Sequence, residues 1–310
     1  TIYYINVTKP DAKWNIIPKG LPRSLAYGCS VELSTGILCI GGCDSARCYK
    51  DVFQIQYING KIKIDTEWPA LPIPLANATA SLSGNKVYIA GGQTSMDKQE
   101  ATKSFFVLDL SNCKKGWKEL PSWPGEARGY AASASQSDGF DQCFYLFSGR
   151  DYKANGYINV LTDGYAYNPR LNSWKKLKPQ FPIMAGTAIA LGANHILLLG
   201  GVPQILPGSD NHPGFSHSVR LFHTITQSLI VKETIPYPIA VTTSLAHKGN
   251  SFYISSGEVK PGIRTPNLLK GTIVPFKKRL GLVNIIVIII YFVALAWIGF
   301  YFSKRQKNTD

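Results

Sequence analysis

The sequence predicts an all-β fold, a six-bladed β-propeller with one blade incomplete in this chain, followed by a single transmembrane α-helix. Two features predict it: a repeat of about 50 residues that occurs five times, and one uncharged apolar run near the C-terminus. The composition agrees, because 28 glycines, 19 prolines and many aromatic residues (16 Tyr, 14 Phe, 6 Trp) favour short strands and turns. The 45% hydrophobic and 17% charged content excludes a disordered chain.

Each repeat pairs a strand of small residues with a following apolar strand that ends in glycine. Small side chains suit the innermost strand of a blade, where the blades converge on a narrow channel. The glycine lets the chain leave the second strand where the blades crowd together. The closing glycines are Gly42, Gly92, Gly149, Gly201 and Gly257. The small-residue strands expected before them are 26–31, 76–82, 129–135, 185–191 and 240–246.

The N-terminal residues do not fit a complete blade. Residues 2–7 and 14–17 have the pattern of the outer strands of a blade whose earlier strands are absent. We therefore expect five complete four-stranded blades and a sixth, incomplete one, with its first part upstream of residue 1. The chain is then an internal piece of a longer protein.

The apolar run covers 280–302, which is 23 residues with no charge. About 20 apolar residues span the hydrocarbon core of a bilayer, so this length predicts a slightly tilted transmembrane helix. Three basic residues precede the run and three follow it, so the positive-inside rule does not fix its orientation. The predicted domains are a propeller at 1–275 and a basic juxtamembrane segment with the helix at 276–310.

The formal net charge of +14 comes from 33 basic and 19 acidic residues. Seven of the basic residues lie near the apolar run, and the others are scattered without a basic helix or stripe. This distribution argues against a nucleic-acid partner. A basic surface can help to attract an anionic substrate, and it is also what an ordinary solvated surface presents.

Two of the six cysteines, Cys43 and Cys48, lie in one loop with four residues between them. A zinc site would need a second Cys or His pair at similar spacing, and the sequence has none. The spacing predicts a local disulfide if the domain is extracytoplasmic, and two reduced thiols otherwise.

Few titratable residues stand in a context that suggests chemistry. The five histidines lack metal-ligand spacing, and no cofactor motif occurs in the strand-to-helix setting that it requires, so no cofactor is expected. The exception is the loop after the fifth glycine strand, where Glu258 follows Gly257 and Arg264 lies beyond a Pro-Gly turn. Such a pair could clamp a substrate carboxylate and move protons, or could be an ion pair that stiffens a loop.

The same loop carries a resemblance to a known family. Its residues resemble the signature loop of the kelch N-acetylneuraminate mutarotases, also called N-acetylneuraminate epimerases: Gly257-Glu258-Val259-Lys260-Pro261-Gly262-Ile263-Arg264-Thr265. Two further segments resemble blade openings of that family: Trp123-Pro124-Gly125-Glu126-Ala127-Arg128 and Ala26-Tyr27-Gly28. The copy with Ala26-Tyr27-Gly28, usually last in the family, comes first here, so the order of the blades resembles that of a cyclically permuted branch whose members can be fused to transporters. Ser148-Gly149 and Ser256-Gly257 depart from the usual glycine pair.

The resemblance implies a kelch propeller over residues 1–275 that interconverts the α and β anomers of N-acetylneuraminate without a cofactor. It implies that Glu258 is the catalytic acid/base and Arg264 a ligand of the substrate carboxylate, with Arg128 as a further substrate-binding candidate. Residues 298–305 resemble the first transmembrane helix of sodium:solute symporters. This implies a symporter domain in the same polypeptide, a lipid bilayer around the helix, and a propeller on the extracytoplasmic (periplasmic) side.

Two other functions remain open at this stage. A propeller that captures a sugar acid for a transporter without chemistry would need Arg264 but not Glu258. A protein-interaction scaffold would need no convergent charged pair. A copper-oxidase site is disfavoured, because no suitable His pair accompanies a Cys and a Tyr.

Overall fold

The computed structural model describes residues 1–9, 11–97, 100–152, 158–206, 212–274 and 281–305. The chain divides into two compact units. The first comprises Thr1–Lys248 and Phe252–Lys270, and the second comprises Gly249–Ser251 and Gly271–Asp310. Nearly all of the strands belong to the first unit.

The N-terminal strands form a small antiparallel sheet, β1 (Ile2–Tyr4) with β2 (Asn15–Ile17). Two four-stranded antiparallel blades follow it. The first blade comprises β3 (Cys29–Leu33), β4 (Gly36–Ile40), β5 (Val52–Ile58) and β6 (Lys61–Asp65). The second comprises β7 (Thr79–Ser83), β8 (Lys86–Ala90), β9 (Phe105–Asp109) and β10 (Trp117–Glu119), with a 3₁₀ turn at Leu110–Lys115.

The third blade contains a four-stranded sheet and an inserted two-stranded hairpin. Its strands are β11 (Ala132–Ser137), β12 (Gln142–Phe147), β13 (Arg150–Tyr152), β14 (Ile158–Val160), β15 (Gly164–Asn168) and β16 (Ser173–Lys176). The sheet has the order β11-β12-β15-β16, and β13 pairs with β14 to form the hairpin.

The fourth blade comprises β17 (Thr187–Leu191), β18 (His195–Leu199), β19 (Ser218–His223) and β20 (Leu229–Thr234). The fifth contains β21 (Leu245–Lys248), β22 (Ser251–Ser255), β23 (Glu258–Lys260), β24 (Ile263–Arg264) and β25 (Leu268–Thr272). In the fifth blade β21-β22-β25 form a three-stranded sheet, and β23 pairs with β24 as an inserted hairpin. The third and fifth blades therefore carry the same additional element.

The hydrophobic cores lie between neighbouring blades, and alternate residues of one strand serve two cores. In β12, Phe144 and Leu146 pack with residues of the second blade, whereas Tyr145 and Phe147 pack with residues of the fourth. Successive side chains of a strand point to opposite faces, so a strand between two blades must be apolar at every position. This requirement explains why the second strand of each repeat is a continuous apolar run.

The inner end of every blade has the same unusual backbone. At this inner end, one non-glycine residue of each blade has a φ between 55° and 57°: Tyr27, Asn77, Tyr130, Ala185 and Thr242. Each of the last four donates its backbone N–H to the carbonyl of its counterpart in the preceding blade, over 2.8, 2.8, 2.7 and 3.3 Å respectively. These four hydrogen bonds join all five blades around the axis.

A second feature repeated in every blade is an isolated β-bridge that fixes the residue just after the glycine pair. The residue before each positive-φ position forms an isolated antiparallel bridge with the residue that follows the blade's closing glycine. The bridges are Ala26↔Cys43, Ala76↔Gln93, Gly129↔Arg150, Met184↔Val202 and Val241↔Glu258. Only glycine fits the crowded first position of the pair in the second blade, since a Cβ on Gly91 would lie 2.2 Å from the Arg128 carbonyl oxygen. Ser148 takes the same position in the third blade, with a φ of 54°.

The β-propeller and the C-terminal helix are confirmed, but the structure has five blades where the sequence predicted six. The inner strands of the first and fifth blades meet, and the Ser30 hydroxyl donates to the Ser244 hydroxyl over 2.8 Å. Small side chains on these strands permit that approach. Residues 2–17 supply only the pair β1–β2, and the fifth blade has three strands in the described part of the chain, not the predicted four. The inner strands also begin about three residues later than predicted, because the positive-φ residue interrupts them.

The second unit contains α1 (Leu282–Arg305), a helix of 24 residues whose last turn carries Lys304 and Arg305. It is long and apolar enough to cross a membrane, and none of its most apolar stretch is buried. Its length is about 36 Å at the usual rise of an α-helix. The predicted basic segment at 277–279 and the boundary at 275/276 lie outside the described residues, so both stay predictions.

We predict that Phe144→Ala will destabilise the chain by about 3–5 kcal/mol, because it empties a position shared with the aromatic rings of the second blade. Phe144 is 0% exposed, and its ring centre lies 5.4 Å from that of Phe105. Phe140→Ala is the matched control, since Phe140 is 91% exposed; it should change stability by less than about 0.5 kcal/mol. Denaturant unfolding of the full chain in detergent measures both, and equal effects would contradict the assignment of the core.

Candidate functional site

Glu258 begins the hairpin of the fifth blade, directly after the closing Gly257. Its backbone exchanges two hydrogen bonds with Val241, of 2.8 and 3.1 Å, which fix it beside the inner end of the blade. Its side chain is half-buried, and Oε1 accepts a hydrogen bond of 2.6 Å from the backbone N–H of Gly262. This contact closes the Pro261-Gly262 turn and orients the carboxylate.

Arg264 lies on the adjacent strand of the hairpin, in register with Glu258. Side chains of directly paired residues leave the same face with Cβ atoms about 5 Å apart. Arg264 is exposed, and of the ion pairs within the described ranges none joins it to Glu258. The fold thus brings the two residues together but leaves the guanidinium in solvent.

Glu258 lines a cavity of about 300 Å³ at the inner ends of the third, fourth and fifth blades. The polar groups around it include Arg150, His212, Tyr27 and Tyr130. The other wall is apolar and comes mainly from the fourth blade: Met184, Val202, Ile205, Leu206 and Phe215. A cavity with a few convergent polar groups and an apolar wall suits a small organic ligand.

Tyr130 contacts Arg150 and lies within the electrostatic influence of Glu258. The Arg150 guanidinium carbon lies 4.3 Å from the centre of the Tyr130 ring, a cation–π arrangement. Burial raises the pKa of Tyr130, the charge of Arg150 partly offsets that rise, and the charge of Glu258 adds to it. The phenol therefore keeps its proton at neutral pH and can donate a hydrogen bond to a ligand.

His212 adds a second potential donor to the same wall. Its Nδ1 accepts the backbone N–H of Gly214 over 3.0 Å, and its ring packs edge-to-face on Phe215 at 5.4 Å. In a neutral imidazole this assigns the proton to Nε2.

A second cavity of about 340 Å³ follows the axis between the inner strands. It shares Tyr27, Tyr130, Ala185 and Thr242 with the first cavity. Its lining is dominated by small and hydroxyl side chains, including Thr79, Ser133 and Thr187. Charged and aromatic groups converge in the first cavity, which we take as the candidate site.

Arg128 lies in a different place from the other predicted site residues. Its side chain is 0% exposed and forms a bidentate ion pair with Asp163, at 2.9 and 3.2 Å. Two further N–H groups donate to the carbonyls of Ser148 and Glu126. The Arg128 backbone also accepts from Gly92 N–H and donates to the Thr102 carbonyl, so Arg128 joins the second and third blades. It is absent from the described lining of both cavities.

Cys43 and Cys48 face each other as free thiols across an isolated antiparallel bridge. Hydrogen bonds from Asp44 to Arg47 and from Tyr49 to Gly42 flank the two cysteines. This makes them a non-hydrogen-bonded pair, with Cα atoms about 4.5 Å apart, inside the range of about 4.4–6.8 Å that a disulfide spans. The disulfide stays a prediction.

No group of three or more His, Cys, Asp or Glu side chains that could hold a metal ion occurs among the described residues. Among the side chains that line the cavity, Glu258 can move protons and Arg150 can bind an anion.

Arg150 lines the candidate site but was not among the residues predicted from the sequence. A signal was present, because Arg150 follows the closing Gly149 just as Glu258 follows Gly257. Both residues also begin an inserted hairpin. What the sequence does not contain is the spatial convergence of the third and fifth blades on one cavity.

Comparison with known proteins gives a consistent set of similarities. A family model described as N-acetylneuraminate epimerase matches residues 68–208. The N-acetylneuraminate epimerase of Haemophilus influenzae (strain PittEE) is 27% identical over 233 residues, which cover 66% of this chain and 59% of the relative. That of Escherichia coli (strain K12) is 26% identical over 224 residues, covering 64% of this chain and 58% of the relative. The chain thus spans about three fifths of the length of these relatives.

Two further similarities concern the fold. A kelch domain-containing protein of Vibrio cholerae serotype O1 is 25% identical over 232 residues, covering 64% of this chain and 61% of the relative. A solved structure described as the structure of YjhT superposes with a TM-score of 0.54 at 22% identity. It covers 68% of this chain and 69% of that one, and supports the propeller fold.

We predict that Asp163→Asn will destabilise the chain by roughly 3–5 kcal/mol, because it leaves the buried Arg128 without its counter-charge. Asp141→Asn is the control, since it disrupts the Arg170–Asp141 pair, in which the arginine is exposed, and it should cost much less. Thermal unfolding of the full chain in detergent would measure both. Equal losses would contradict a structural role for Arg128.

The same ion pair predicts a pH dependence. Burial alone would raise the pKa of Asp163, but the hydrogen bonds and charge of Arg128 outweigh it and lower the pKa below its ordinary value. The stabilisation is therefore present above the unfolded pKa of about 3.9 and is lost as the pH falls through the lower folded value. The difference in melting temperature between wild type and Asp163→Asn should shrink below about pH 4.

We predict that Cys43 and Cys48 are joined when the protein is isolated from an oxidising compartment. Burial raises the pKa of both thiols, that of Cys48 to about 11, so native alkylation would be slow even if they were reduced. The protein should therefore be denatured in acid, alkylated and digested without reductant. A Cys43–Cys48 cross-linked peptide is the expected product, and full alkylation of both would contradict the disulfide.

Proposed function

We propose that this chain is the propeller of a sialic acid mutarotase, an isomerase that interconverts the α and β anomers of N-acetylneuraminate. The observation that carries the proposal is a carboxylate, Glu258, in a cavity of about 300 Å³ that also presents an arginine and a tyrosine hydroxyl. That volume lies at the lower end of the range for small-molecule sites, of about 300–1,000 Å³, as a monosaccharide requires. The similarity to N-acetylneuraminate epimerases supports the choice of sugar acid.

In the proposed reaction Glu258 accepts the proton of the anomeric hydroxyl. Glu258 then gives this proton to the ring oxygen as the bond between that oxygen and the anomeric carbon breaks, which gives an open keto acid. Rotation about the bond to the carbonyl carbon exposes its other face, and the reverse steps close the ring as the other anomer. General acid/base assistance contributes about 10²–10⁴-fold, a useful gain for a reaction that also proceeds unaided.

The remaining groups bind and orient the substrate. Arg264, one strand from Glu258 and exposed, supplies positive charge to the anionic sugar as it approaches. The apolar wall of the cavity covers the ring and excludes water from the reacting atoms. No step needs a metal or an organic cofactor.

We further propose that α1 anchors the propeller in a lipid bilayer, with the propeller on the periplasmic side and a sodium:solute symporter domain in the same polypeptide. Two observations support this arrangement: the length and apolar surface of α1, and the resemblance of residues 298–305 to the first helix of such symporters. Fused in this way, the mutarotase would deliver one anomer to the transporter.

The hydrogen bond from Gly262 to Glu258 favours a second candidate function, because a carboxylate held by a turn has a structural use without catalysis. The propeller would then capture the sugar acid for a transporter and leave its anomers unchanged. A protein-interaction propeller attached to the transporter would need neither Glu258 nor Arg264.

We predict that Glu258→Gln abolishes catalysed anomer exchange and leaves sugar binding largely intact. Gln keeps a carbonyl oxygen for the Gly262 N–H, so the turn is preserved while the titratable proton is removed. The full chain in detergent should be mixed with freshly released α-N-acetylneuraminate and followed by NMR. The variant should show the uncatalysed rate, a loss of about 10²–10⁴-fold in the catalysed exchange.

Glu233→Gln, an exposed position on β20, is the matched control and should retain the wild-type rate. An unchanged rate in Glu258→Gln would remove Glu258 from the mechanism. A wild type that binds the sugar but exchanges its anomers no faster than buffer would replace the mutarotase with the capture function.

A further inference from the structure

Arg150 and Glu258 occupy equivalent positions in two blades. Each follows the closing glycine, forms the isolated bridge beside a positive-φ residue, and begins an inserted two-stranded hairpin. Val202 holds the corresponding position in the fourth blade between them, and all three residues line the same cavity. The repeat therefore places the cation Arg150 and the anion Glu258 in the wall of one cavity, with the apolar Val202 between them.

The surroundings of Arg150 differ from those of three other arginines of the propeller. Arg23, Arg128 and Arg170 each form an ion pair with an aspartate. Arg150 has no carboxylate partner among the ion pairs of the described residues, and its guanidinium lies over the face of Tyr130. Stacking on an aromatic ring holds a guanidinium plane in place while its N–H edge stays available for a planar anion.

We propose that Arg150 binds the carboxylate of the substrate inside the cavity, with Tyr130 fixing the plane of its guanidinium. This inference rests on the proposed function and assigns the inner carboxylate contact to Arg150, so that Arg264 acts only on the approach of the anion. In a sugar acid of this class the carboxylate is attached to the anomeric carbon. An arginine on one side of the cavity and Glu258 on the other would therefore hold the carboxylate and the anomeric hydroxyl at the same time.

The assignment defines a substrate class. The site should take sugars whose anomeric carbon carries a carboxylate, and should discriminate against the same sugars with that group neutralised. An aldose has no group to place on Arg150, and it would leave this partly buried cation without a partner, which is unfavourable.

The test compares equilibrium binding of N-acetylneuraminate and its methyl ester by calorimetry, using the full chain in detergent. Wild type should bind the acid roughly 10- to 100-fold more tightly than the ester, the range expected for hydrogen bonds to a charged group. Arg150→Gln should abolish this preference, so that acid and ester bind alike. Arg150→Lys should retain part of it, because lysine keeps the charge but loses the planar fork.

Arg264→Gln is the matched control, and its preference for the acid should persist while the association rate falls. Loss of the preference in Arg264→Gln together with its retention in Arg150→Gln would overturn the inference. A wild type with no preference for the acid would overturn it as well, whether or not anomers are exchanged. Because binding is measured separately from exchange, a wild type that prefers the acid but does not catalyse would refute the mutarotase alone and support the anion site. Unchanged melting temperatures of the variants exclude unfolding as the cause.

Discussion

The hydrogen bonds between the positive-φ residues at the inner ends of the blades are the contacts on which the rest of the propeller depends. Each one ties the backbone of a blade to that of the preceding blade, so the positions that follow the glycine pairs are fixed around the axis by backbone geometry. Side chains at these positions are then free to differ: they are Cys43, Gln93, Arg150, Val202 and Glu258. The same backbone arrangement thus supports both the fold and the candidate site, because its conformation does not depend on which side chains occupy these positions.

The positive-φ backbone at the inner ends of the blades costs conformational free energy, and this cost is greatest beside Glu258. A non-glycine residue in the left-handed region loses about 1–2 kcal/mol, and a β-branched residue fits it least well. Thr242 is such a residue, with a φ of 56°, and its ring hydrogen bond of 3.3 Å is the longest of the four. The fifth blade also has a sheet of only three strands in the described part of the chain. The candidate acid/base therefore lies where the ring is held least tightly, as functional sites often do.

The parts of the fold that follow local rules could be predicted from the sequence. Five glycine-terminated apolar runs located β4, β8, β12, β18 and β22, since positive φ and two-faced burial both leave a mark on residue type. Ring closure depends on how near the inner strands of the first and last blades approach, and no local pattern encodes that distance. Likewise Glu258 and Arg264 are close in sequence and could be predicted as a pair from it, whereas Arg150 reaches the cavity of Glu258 from a blade about 100 residues away in sequence.

Arg128 and Arg150 show why a basic residue in a suggestive segment does not by itself define a binding site. They are connected through one bridge, because Arg128 precedes Gly129 and Gly129 pairs with Arg150. Yet Arg128 is enclosed between blades with Asp163, an aspartate 35 residues away in sequence, so its charge is neutralised within the protein. Arg150 instead borders a cavity and rests on an aromatic face. Burying a charge is unfavourable unless the charge is paired. Arg128 has its partner within the protein and is structural, whereas Arg150 borders the cavity and is the arginine that we propose to meet the ligand.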